Sequence, residues 1–470
     1  MIRRYYATKD NSITNAYQEN LTTRATGSNM GASDVLEVFS IYGQQASASS
    51  ELMRTIIQFD TAELIADRAA GKVPASGSVS WYLKMFNAPH SQTVPSEFDL
   101  IVSAVSSSWE EGYGLDMDYY EDLTKDVIGS NWIRRTGSTS WASAGGDYHA
   151  SPTFTQTFST GLEDMELDVS DLVEQWVAGT KGNYGFGVKL PDATEALAKS
   201  FFTKKFFGRD SEFYFQRPVI EARWDSSRQD DRGAFYASSS LAPAADNLNS
   251  LFIHNSIRGR LQNIPTLGSN DIYVNLYASL GGAKLAGVFT GSSPSTGIYK
   301  CDVFLETTAS TIYDVWFSGS NEYHSGTIAV KTFASTAYNP ESAYILNMPR
   351  LRKEYRKDQT HRLDLYAREK DWSPNIYTVA VQASIPSLII PSASFQVRRS
   401  IDDFVVVPYG TGSTTIAAHT ALSYDVSGNY FDLDTTYLET GFLYEVQYSF
   451  YDEENGWEEQ PYRFKFRVVD

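Results

Sequence analysis

The sequence predicts an all-β fold, and three observations lead to that prediction. Aromatic residues make up 14% of the chain, and they stand among Val, Ile, Thr and Ser in short runs that suit pleated sheets. Apolar and polar residues alternate in segments such as 79–85, 272–277 and 444–450, which is typical of strands with one buried face. Clusters of Gly, Ser and Thr, such as 137–140 and 291–297, separate such segments at short intervals. This pattern favours sandwiches and jelly rolls over parallel sheets with crossover helices.

Few short helices are expected in this chain. Residues 61–70 and 170–178 form the two predicted helices, and a glycine follows each of them. In the second helix, Ser170 is expected to cap the amino end. Trp176 lies on the apolar stripe of the same helix, so we expect its ring to pack against a sheet.

The length of 470 residues predicts about two to four domains, at roughly 100–200 residues each. Polar stretches near residues 225 and 337 are typical of the segments that connect domains. The predicted domains are therefore 1–225, 226–337 and 338–470. The last two have the size of immunoglobulin-like sandwiches.

Charge and cysteine content exclude several classes of protein. The formal net charge of −18 repels phosphate backbones, so nucleic acid is a poor partner. The only cysteine, Cys301, lies in a strand-like run and is expected to point inward as a small hydrophobic residue. The start of the chain lacks the apolar core of about 7–15 residues that a secretory signal needs. No run approaches the roughly 18–20 apolar residues of a membrane helix, so we expect a soluble chain made in the cytoplasm, with no membrane partner.

The first 225 residues contain landmarks whose order and spacing match those of one known family. These landmarks are residues 9–13, 31–38, 53–60, 109–112, 167–176, 183–189 and 217–222. The segment resembles a DNRLRE domain, a jelly-roll module similar to carbohydrate-binding modules. The resemblance implies an N-terminal jelly roll that binds or builds and performs no chemistry. An acidic, tyrosine-rich insert at 113–122 and the sequence at 207–210 depart from the family pattern.

Residues 362–379 and 403–410, together with the terminal strand 461–468, carry a second resemblance. They are similar to segments of structural proteins of tailed phages, particularly marine ones. This resemblance implies a non-enzymatic virion protein at the neck, the tail or the capsid surface. Such a protein docks onto other virion proteins and assembles as a symmetric homo-oligomer.

The alternative function is a carbohydrate-binding adhesin or a receptor-binding appendage that contacts a cell-surface glycan through N-terminal loops. Exposed aromatic rings stack on sugars or fill a partner's pocket. Trp141, flanked by small residues, is the best candidate for an exposed ring, whereas Trp109 is expected in the core. The other candidates for glycan or partner contact are Trp132, Tyr119 and Tyr120.

No pattern of catalytic residues is found in the sequence, so we expect neither an enzyme nor a cofactor. The six histidines are isolated, and there is no cysteine pair, Gly-x-Ser-x-Gly elbow or P-loop. Glu110 and Glu111 are adjacent, and on a strand they would point to opposite faces. Calcium binding remains an open alternative, because the oxygen ligands of calcium follow no fixed sequence spacing in β-sandwiches. The candidate ligands, which could equally form a solvated or partner-facing loop, are Asp116, Asp118, Glu121 and Asp122.

One basic run, residues 350–357, stands out in this acidic chain. Its cationic residues are Arg350, Arg352, Lys353, Arg356 and Lys357. A nucleic-acid contact would use this charge together with stacking on Tyr355. The same alternation is typical of an edge strand protected by charge, or of a patch that meets the acidic surface of a neighbouring subunit. We predict a partner-facing patch.

Overall fold

The computed structural model of the protein describes residues 1–44, 49–90, 95–115, 129–268, 271–332, 343–372, 376, 387–410, 419–452 and 455–470. Strands dominate these residues and the helices are short, so the predicted all-β fold is confirmed. The chain divides into two compact units, Ile2–Trp224 and Asp225–Asp470, and the second also includes Met1. The predicted boundary near residue 337 lies outside the described residues.

The described part of the first unit contains ten strands, three α-helices and one 3₁₀ helix. The strands are β1 (Ile2–Thr14), β2 (Val35–Tyr42), β3 (Ser50–Phe59), β4 (Ser80–Met85), β5 (Phe98–Val105), β6 (Tyr148–Phe158), β7 (Met165–Asp168), β8 (Phe186–Lys189), β9 (Phe201–Phe207) and β10 (Val219–Arg223). The helices are α1 (Ala62–Ala69), α2 (Ser170–Val177), α3 (Asp192–Glu195) and the 3₁₀ turn Tyr214–Gln216.

The ten strands of the first unit form one sheet, and strand β1 pairs with strands in both halves of that sheet. Its first part, from Ile2 to Tyr6, pairs antiparallel with β10, and from Ala7 onward it pairs with β3. The register shifts between Ala7 and Lys9, and such a bulge bends a strand. The pairing order is β6-β5-β8-β3-β1-β10-β4-β7, with β2 joined to β3 and β9 joined to β2. One strand therefore links the two halves.

Helices α1 and α2 confirm the two predicted helices. Leu172, Val173 and Trp176 are buried, and the Trp176 ring meets the Phe186 ring edge-on at 4.8 Å between centroids. The prediction that Ser170 caps α2 is wrong, because Ser170 is the first helical residue and Val169 precedes the helix. The Ser170 hydroxyl instead accepts the Trp81 backbone N–H at 2.8 Å, which ties the start of α2 to β4.

The described residues between β5 and β6 place three tryptophans against one face of the sheet. Trp109, Trp132 and Trp141 pack together against Ile13 on β1 and Ile56 on β3. Trp109 is thus in a core, as expected. The sheet is apolar on both faces here, because residues 56 and 57 on β3 are adjacent and both fully buried.

The second unit begins with a sandwich of two sheets and a small hairpin. Its strands are β11 (Asn249–His254), β12 (Ser256–Ile257), β13 (Arg260–Leu261), β14 (Tyr273–Tyr277), β15 (Phe289–Thr290), β16 (Ser292–Ser295), β17 (Ile298–Val303), β18 (Thr311–Ser318) and β19 (Asn321–Ala329). The sheets are β11-β17-β16 and β15-β14-β18-β19, and β12 pairs with β13. Two 3₁₀ turns, Asp231–Gly233 and Ala244–Asp246, precede the strands.

Side chains from both sheets form the core of this sandwich. Leu251 and Cys301 from the first sheet pack with Leu276 and Trp316 from the second. Cys301 is buried, as predicted, and burial raises the pKa of its thiol to about 12. A thiol held neutral in this way is a poor nucleophile.

A second sandwich completes the unit. Its strands are β20 (Tyr344–Asn347), β21 (Glu354–Arg356), β22 (Thr360–Glu369), β23 (Ala393–Arg399), β24 (Phe404–Val407), β25 (Ser423–Asp425), β26 (Gly428–Asp434), β27 (Leu443–Asp452), β28 (Gly456–Glu459) and β29 (Phe464–Val469). The sheets are β20-β22-β26-β25 and β21-β29-β27-β23-β24, with β28 joined to β27. Phe395 on β23 stacks on Phe431 of β26 at 4.0 Å between centroids, so the two sheets pack face to face.

The segment ahead of the first sandwich is bonded to the second one. The Asp230 N–H donates to the Tyr424 carbonyl at 3.0 Å, and the Tyr424 N–H donates to the Arg228 carbonyl at the same distance. The Tyr424 hydroxyl donates to Asp231 at 2.7 Å, and Asp231 also accepts the Ser250 N–H of β11 at 2.6 Å. Residues 228–231 thus act as a short added strand beside β25.

Candidate interaction surface

The basic run forms part of a sheet edge. Strand β21 is the outermost strand of the six-stranded sheet and pairs in parallel with β29, with Glu354 opposite Arg467. The edge-strand interpretation is confirmed for Glu354–Arg356, and the other residues of the run flank this short strand. We call Arg350, Arg352, Lys353, Arg356 and Lys357 together the basic strip.

Tyr355 anchors the basic strip to the sandwich. Its ring is 4% exposed and packs edge-on against Phe466, with 5.6 Å between centroids, and against His361 at 4.6 Å. Its hydroxyl accepts the Arg352 N–H at 2.8 Å. The ring therefore offers no free face for base stacking, which the nucleic-acid alternative for this run would have used.

The cations of the basic strip differ in what they contact. Arg350 lies 3.2 Å from an Asp364 oxygen, in an exposed ion pair. Arg352, Lys353 and Arg356 are exposed, and within the described ranges no carboxylate lies within 4.0 Å of their charged nitrogens. These three charges remain available to a partner.

The neighbouring strand adds cations that the sequence prediction missed. Arg463, Lys465 and Arg467 are exposed on the face that continues from β21. Lys465 and Arg463 lie 2.9 and 3.3 Å from the Glu445 carboxylate. Burial of Glu445 opposes its charge, but bonds from Ser400 and Lys465 hold the pKa below its ordinary value. The alternation Arg-Phe-Lys-Phe-Arg at 463–467 was a signal for this basic face.

The tryptophans proposed for ligand contact lie in the interior. Trp141 is 5% exposed and its indole N–H donates to the Asn131 carbonyl at 2.8 Å. Trp132 is 7% exposed and carries the Arg54 guanidinium 5.1 Å from its ring centroid. The expected exposure of both rings is wrong, because both rings pack against the apolar residues Ile13 and Ile56 of the sheet. Neither ring offers a free face for stacking on a sugar.

A clamp around Asn29 holds both flanks of the acidic insert. The Asn29 amide donates to the carbonyls of Glu111 and Ser130 at 2.6 and 2.8 Å, and its oxygen accepts the N–H of Gly31 and Gly114. Gly112 and Gly129 approach this side chain with positive φ, where a Cβ would lie 2.3 and 2.6 Å from Asn29 atoms. These contacts require glycine at both positions.

The remaining predicted site residues fall inside this insert. Tyr119 and Tyr120, together with the calcium candidates Asp116, Asp118, Glu121 and Asp122, lie outside the described residues. The structure describes the insert's flanks as far as Leu115 and again from Gly129.

A buried carboxylate lies beside the clamp. Asp10 accepts the Arg209 backbone N–H at 2.6 Å, and its second oxygen is buried without a hydrogen-bond partner among the described residues. The Arg209 guanidinium holds the Glu111 carboxylate at 2.6 and 3.1 Å, and Glu111 also accepts the Asp10 N–H. Burial raises the pKa of Asp10 to about 7, with the bond from Arg209 opposing and Glu111 adding to the shift.

The raised pKa of Asp10 predicts that the free energy of unfolding depends on pH. Between pH 4 and 7 the unfolded chain loses the Asp10 proton while the folded protein keeps it, so stability falls by up to about 1.4 kcal/mol per pH unit. We expect Asp10→Asn to remove this fall, and urea unfolding of both proteins at several pH values measures it. Asp34→Asn, at a nearby exposed carboxylate, controls for the charge change. A constant stability difference between Asp10→Asn and the parent from pH 4 to 7 would contradict the prediction.

The described part of the chain shows neither a cluster of metal ligands nor a helix that could span a membrane. Within those ranges, no three His, Cys, Asp or Glu side chains gather as a metal site would require. None of the described helices has the length and apolar character needed to cross a membrane.

Comparisons with known proteins identify no relative. No protein family matches the sequence, and no curated protein does. A tandem of titin domains aligns with 58% of this chain and 80% of its own length, at 7% identity and a TM-score of 0.14. Another titin segment, of which 64% is covered, aligns at 8% identity and a TM-score of 0.14. Salmonella alpha-2-macroglobulin aligns with 93% of this chain and 21% of its own, at 10% identity and a TM-score of 0.15. Likenesses at such scores carry no argument for fold or function.

Proposed function

We propose that the chain is a non-enzymatic structural protein of a tailed-phage virion, placed at the neck, the tail or the capsid surface. It acts by docking onto other virion proteins and assembles in several symmetric copies. The observation that carries the proposal is the basic strip, which presents exposed cations on the edge strand β21 and on the residues just before it, in a chain of net charge −18.

A charged sheet edge suits docking for two physical reasons. Its outer backbone groups can pair with an added strand, so a partner gains main-chain hydrogen bonds. The cations prevent pairing with unrelated edges and favour an acidic partner. Tyr355 holds the strand in place from inside, so little ordering is needed on binding.

The sequence resemblances support the same function. The N-terminal segment resembles DNRLRE modules, and segments within 362–468 resemble structural proteins of tailed phages. Of the rings named for the carbohydrate-binding alternative, Trp132 and Trp141 are buried, and Tyr119 and Tyr120 lie outside the described residues. Docking to protein is therefore the function that the geometry favours.

Particle purification tests this proposal. We expect the chain to band with infectious particles in a density gradient and to be found in them by mass spectrometry. A phage carrying Arg352→Glu, Lys353→Glu and Arg356→Glu should make the chain but leave it out of its particles. The matched control reverses three other exposed cations, Arg258, Arg260 and Lys284.

Two outcomes would contradict the proposal. In the first, the chain is abundant in the lysate and absent from purified particles. In the second, the particles contain the chain with the reversed strip at the same copy number as the parent chain.

A further inference from the structure

We propose that Lys204 and Asn87 join covalently, through an isopeptide bond between the lysine amine and the side-chain amide carbon of the asparagine. Both residues belong to the first unit, where Lys204 lies on β9 and Asn87 lies just after the end of β4. The inference goes beyond the proposed docking function and does not depend on it. It assigns a covalent modification to the interior of the first unit.

The backbone brings the two side chains to the same place. Asn87 lies opposite Phe206 of β9 in an antiparallel bridge. Backbone hydrogen bonds of 3.0 and 3.1 Å hold the two segments together on either side of this bridge. Residues two apart on a strand share a face, so Lys204 is the diagonal neighbour of Asn87, within reach of a long side chain. The pair therefore meets without any rearrangement of the backbone.

The lysine amine contacts the asparagine amide directly. Nζ of Lys204 donates to Oδ1 of Asn87 at 2.6 Å. Because the amide carbon Cγ is bonded to that oxygen, the amine nitrogen lies near the separation of about 3–3.5 Å from which reacting atoms form a bond. The amine also donates to the backbone carbonyls of Gly161 and Glu163, at 3.0 and 2.8 Å. Asp164 accepts the Asn87 backbone N–H at 2.7 Å and so holds the asparagine in place.

The surroundings of the amine favour its neutral, nucleophilic form. Lys204 is fully buried, and the rings of Phe158 and Phe206 exclude water from its Nζ, with their centroids 5.0 and 4.9 Å away. Within the described residues no carboxylate forms an ion pair with this amine, and a buried charge without a counter-ion is costly. Burial lowers the pKa of Lys204 to about 8, with Asp164 and Glu163 opposing the shift. A lysine desolvated in this way is an activated nucleophile.

The reaction needs no other reactant. The neutral amine of Lys204 attacks Cγ of Asn87, so that the bond between Nζ and Cγ forms and the bond between Cγ and Nδ2 breaks. One hydrogen of the amine moves to Nδ2, which leaves as ammonia, and nothing is oxidised or reduced. Asn87 is partly exposed, so the ammonia has a path to solvent. The product is a neutral amide, and the loss of a buried charge favours it.

The bond has a structural consequence for the first unit. It closes a loop across 117 sequence positions, between the end of β4 and β9. A link over so long a loop restricts the unfolded chain and thereby stabilises the folded unit. Strand β9 joins the sheet through β2, and the isopeptide bond gives it a second, covalent attachment beside β4.

Mass spectrometry of the full-length chain tests the inference. The protein is kept at about pH 9, where most of the Lys204 amine is neutral, until its mass is constant. We expect an intact mass below that of the sequence by one ammonia, about 17 Da. Digestion should yield a branched peptide in which the Lys204 amine is joined to Asn87. In a denaturing gel the closed loop should make the parent chain migrate faster than the Asn87→Ala variant.

Two variants remove one partner each. Lys204→Met and Asn87→Ala are both expected to show the full mass of their own sequences. Asn87→Ala keeps the lysine and its bonds to the carbonyls of Gly161 and Glu163, so it gives an answer even if Lys204→Met does not fold. The matched control is Lys205→Met, because this neighbouring amine pairs with Glu37 at 2.7 Å instead. The control should lose ammonia as the parent does.

The inference is overturned if the parent keeps the full mass of its sequence, or if its digest contains no peptide that joins Lys204 to Asn87. It is also overturned if Lys204→Met still loses ammonia, because the loss then comes from a succinimide at an asparagine. None of these results bears on the docking of the basic strip, so the two proposals fail separately.

Discussion

Replacing Asp314 with alanine is expected to destabilise the first sandwich by about 3 kcal/mol, because the largely buried Arg232 guanidinium loses its close counter-ion and keeps only the Asp230 carboxylate, 3.7 Å away. Asp314 is fully buried and holds Arg232 through two bonds of 2.9 and 2.5 Å. It also accepts the Trp316 indole N–H at 2.7 Å. Chemical denaturation of the full chain, followed by tryptophan fluorescence, measures the effect.

Asp302→Ala is the matched control for this change. Asp302 lies in the same sandwich and pairs with Lys300 at 2.9 Å, but both side chains are more than a third exposed. Removing an exposed pair costs about 0–1 kcal/mol. If the two variants unfold at similar denaturant concentrations, the buried pair does not have the role assigned to it.

Asn29→Ala is expected to cost about 3–5 kcal/mol and to release both flanks of the acidic insert, since several backbone groups lose their partner at once. The four bonds to Gly31, Glu111, Gly114 and Ser130 are lost together. Hydrogen exchange should accelerate in residues 110–115 and 129–132, and mass spectrometry of exchanged peptides measures it.

Asn20→Ala serves as the control for the clamp. The Asn20 side chain also accepts two backbone N–H groups, from Thr22 and Thr23, but in an exposed loop where water replaces it. We expect a loss below about 1 kcal/mol there. Equal exchange rates around the insert in the two variants would show that Asn29 does not hold its flanks.

Local sequence patterns predicted the secondary structure well, because strands and helices depend on nearby residues. The two helices, predicted at 61–70 and 170–178, and the edge strand Glu354–Arg356 within the basic run follow from apolar spacing, glycines and alternation. The neighbour of that edge strand could not be predicted. The parallel pairing of Tyr355 with Val468 joins residues more than a hundred positions apart, and no local pattern encodes it.

The exposure of Trp141 was predicted from its small neighbours, and the tertiary structure overrode that signal. Glycines and serines around a ring indicate a loop, but a loop can also fold back onto an apolar sheet face. The adjacent Ile56 and Ile57 indicated such a face, because neighbours on a strand point to opposite sides and both are apolar. A strand that is apolar on both faces thus predicted the position of the tryptophans better than their small neighbours did.

Strand β1 pairs with β10 through its first residues and with β3 through the rest, and this limits the order in which the first unit can fold. The Ile2–Tyr6 stretch finds its partner only at β10, where Ile2 pairs with Arg223. During synthesis, the first strand of this unit must wait for its partner until almost the whole unit has been made. Any fragment that lacks either Ile2–Tyr6 or Val219–Arg223 leaves an open edge beside the missing strand. The two ends of this unit must therefore be kept together in every truncation.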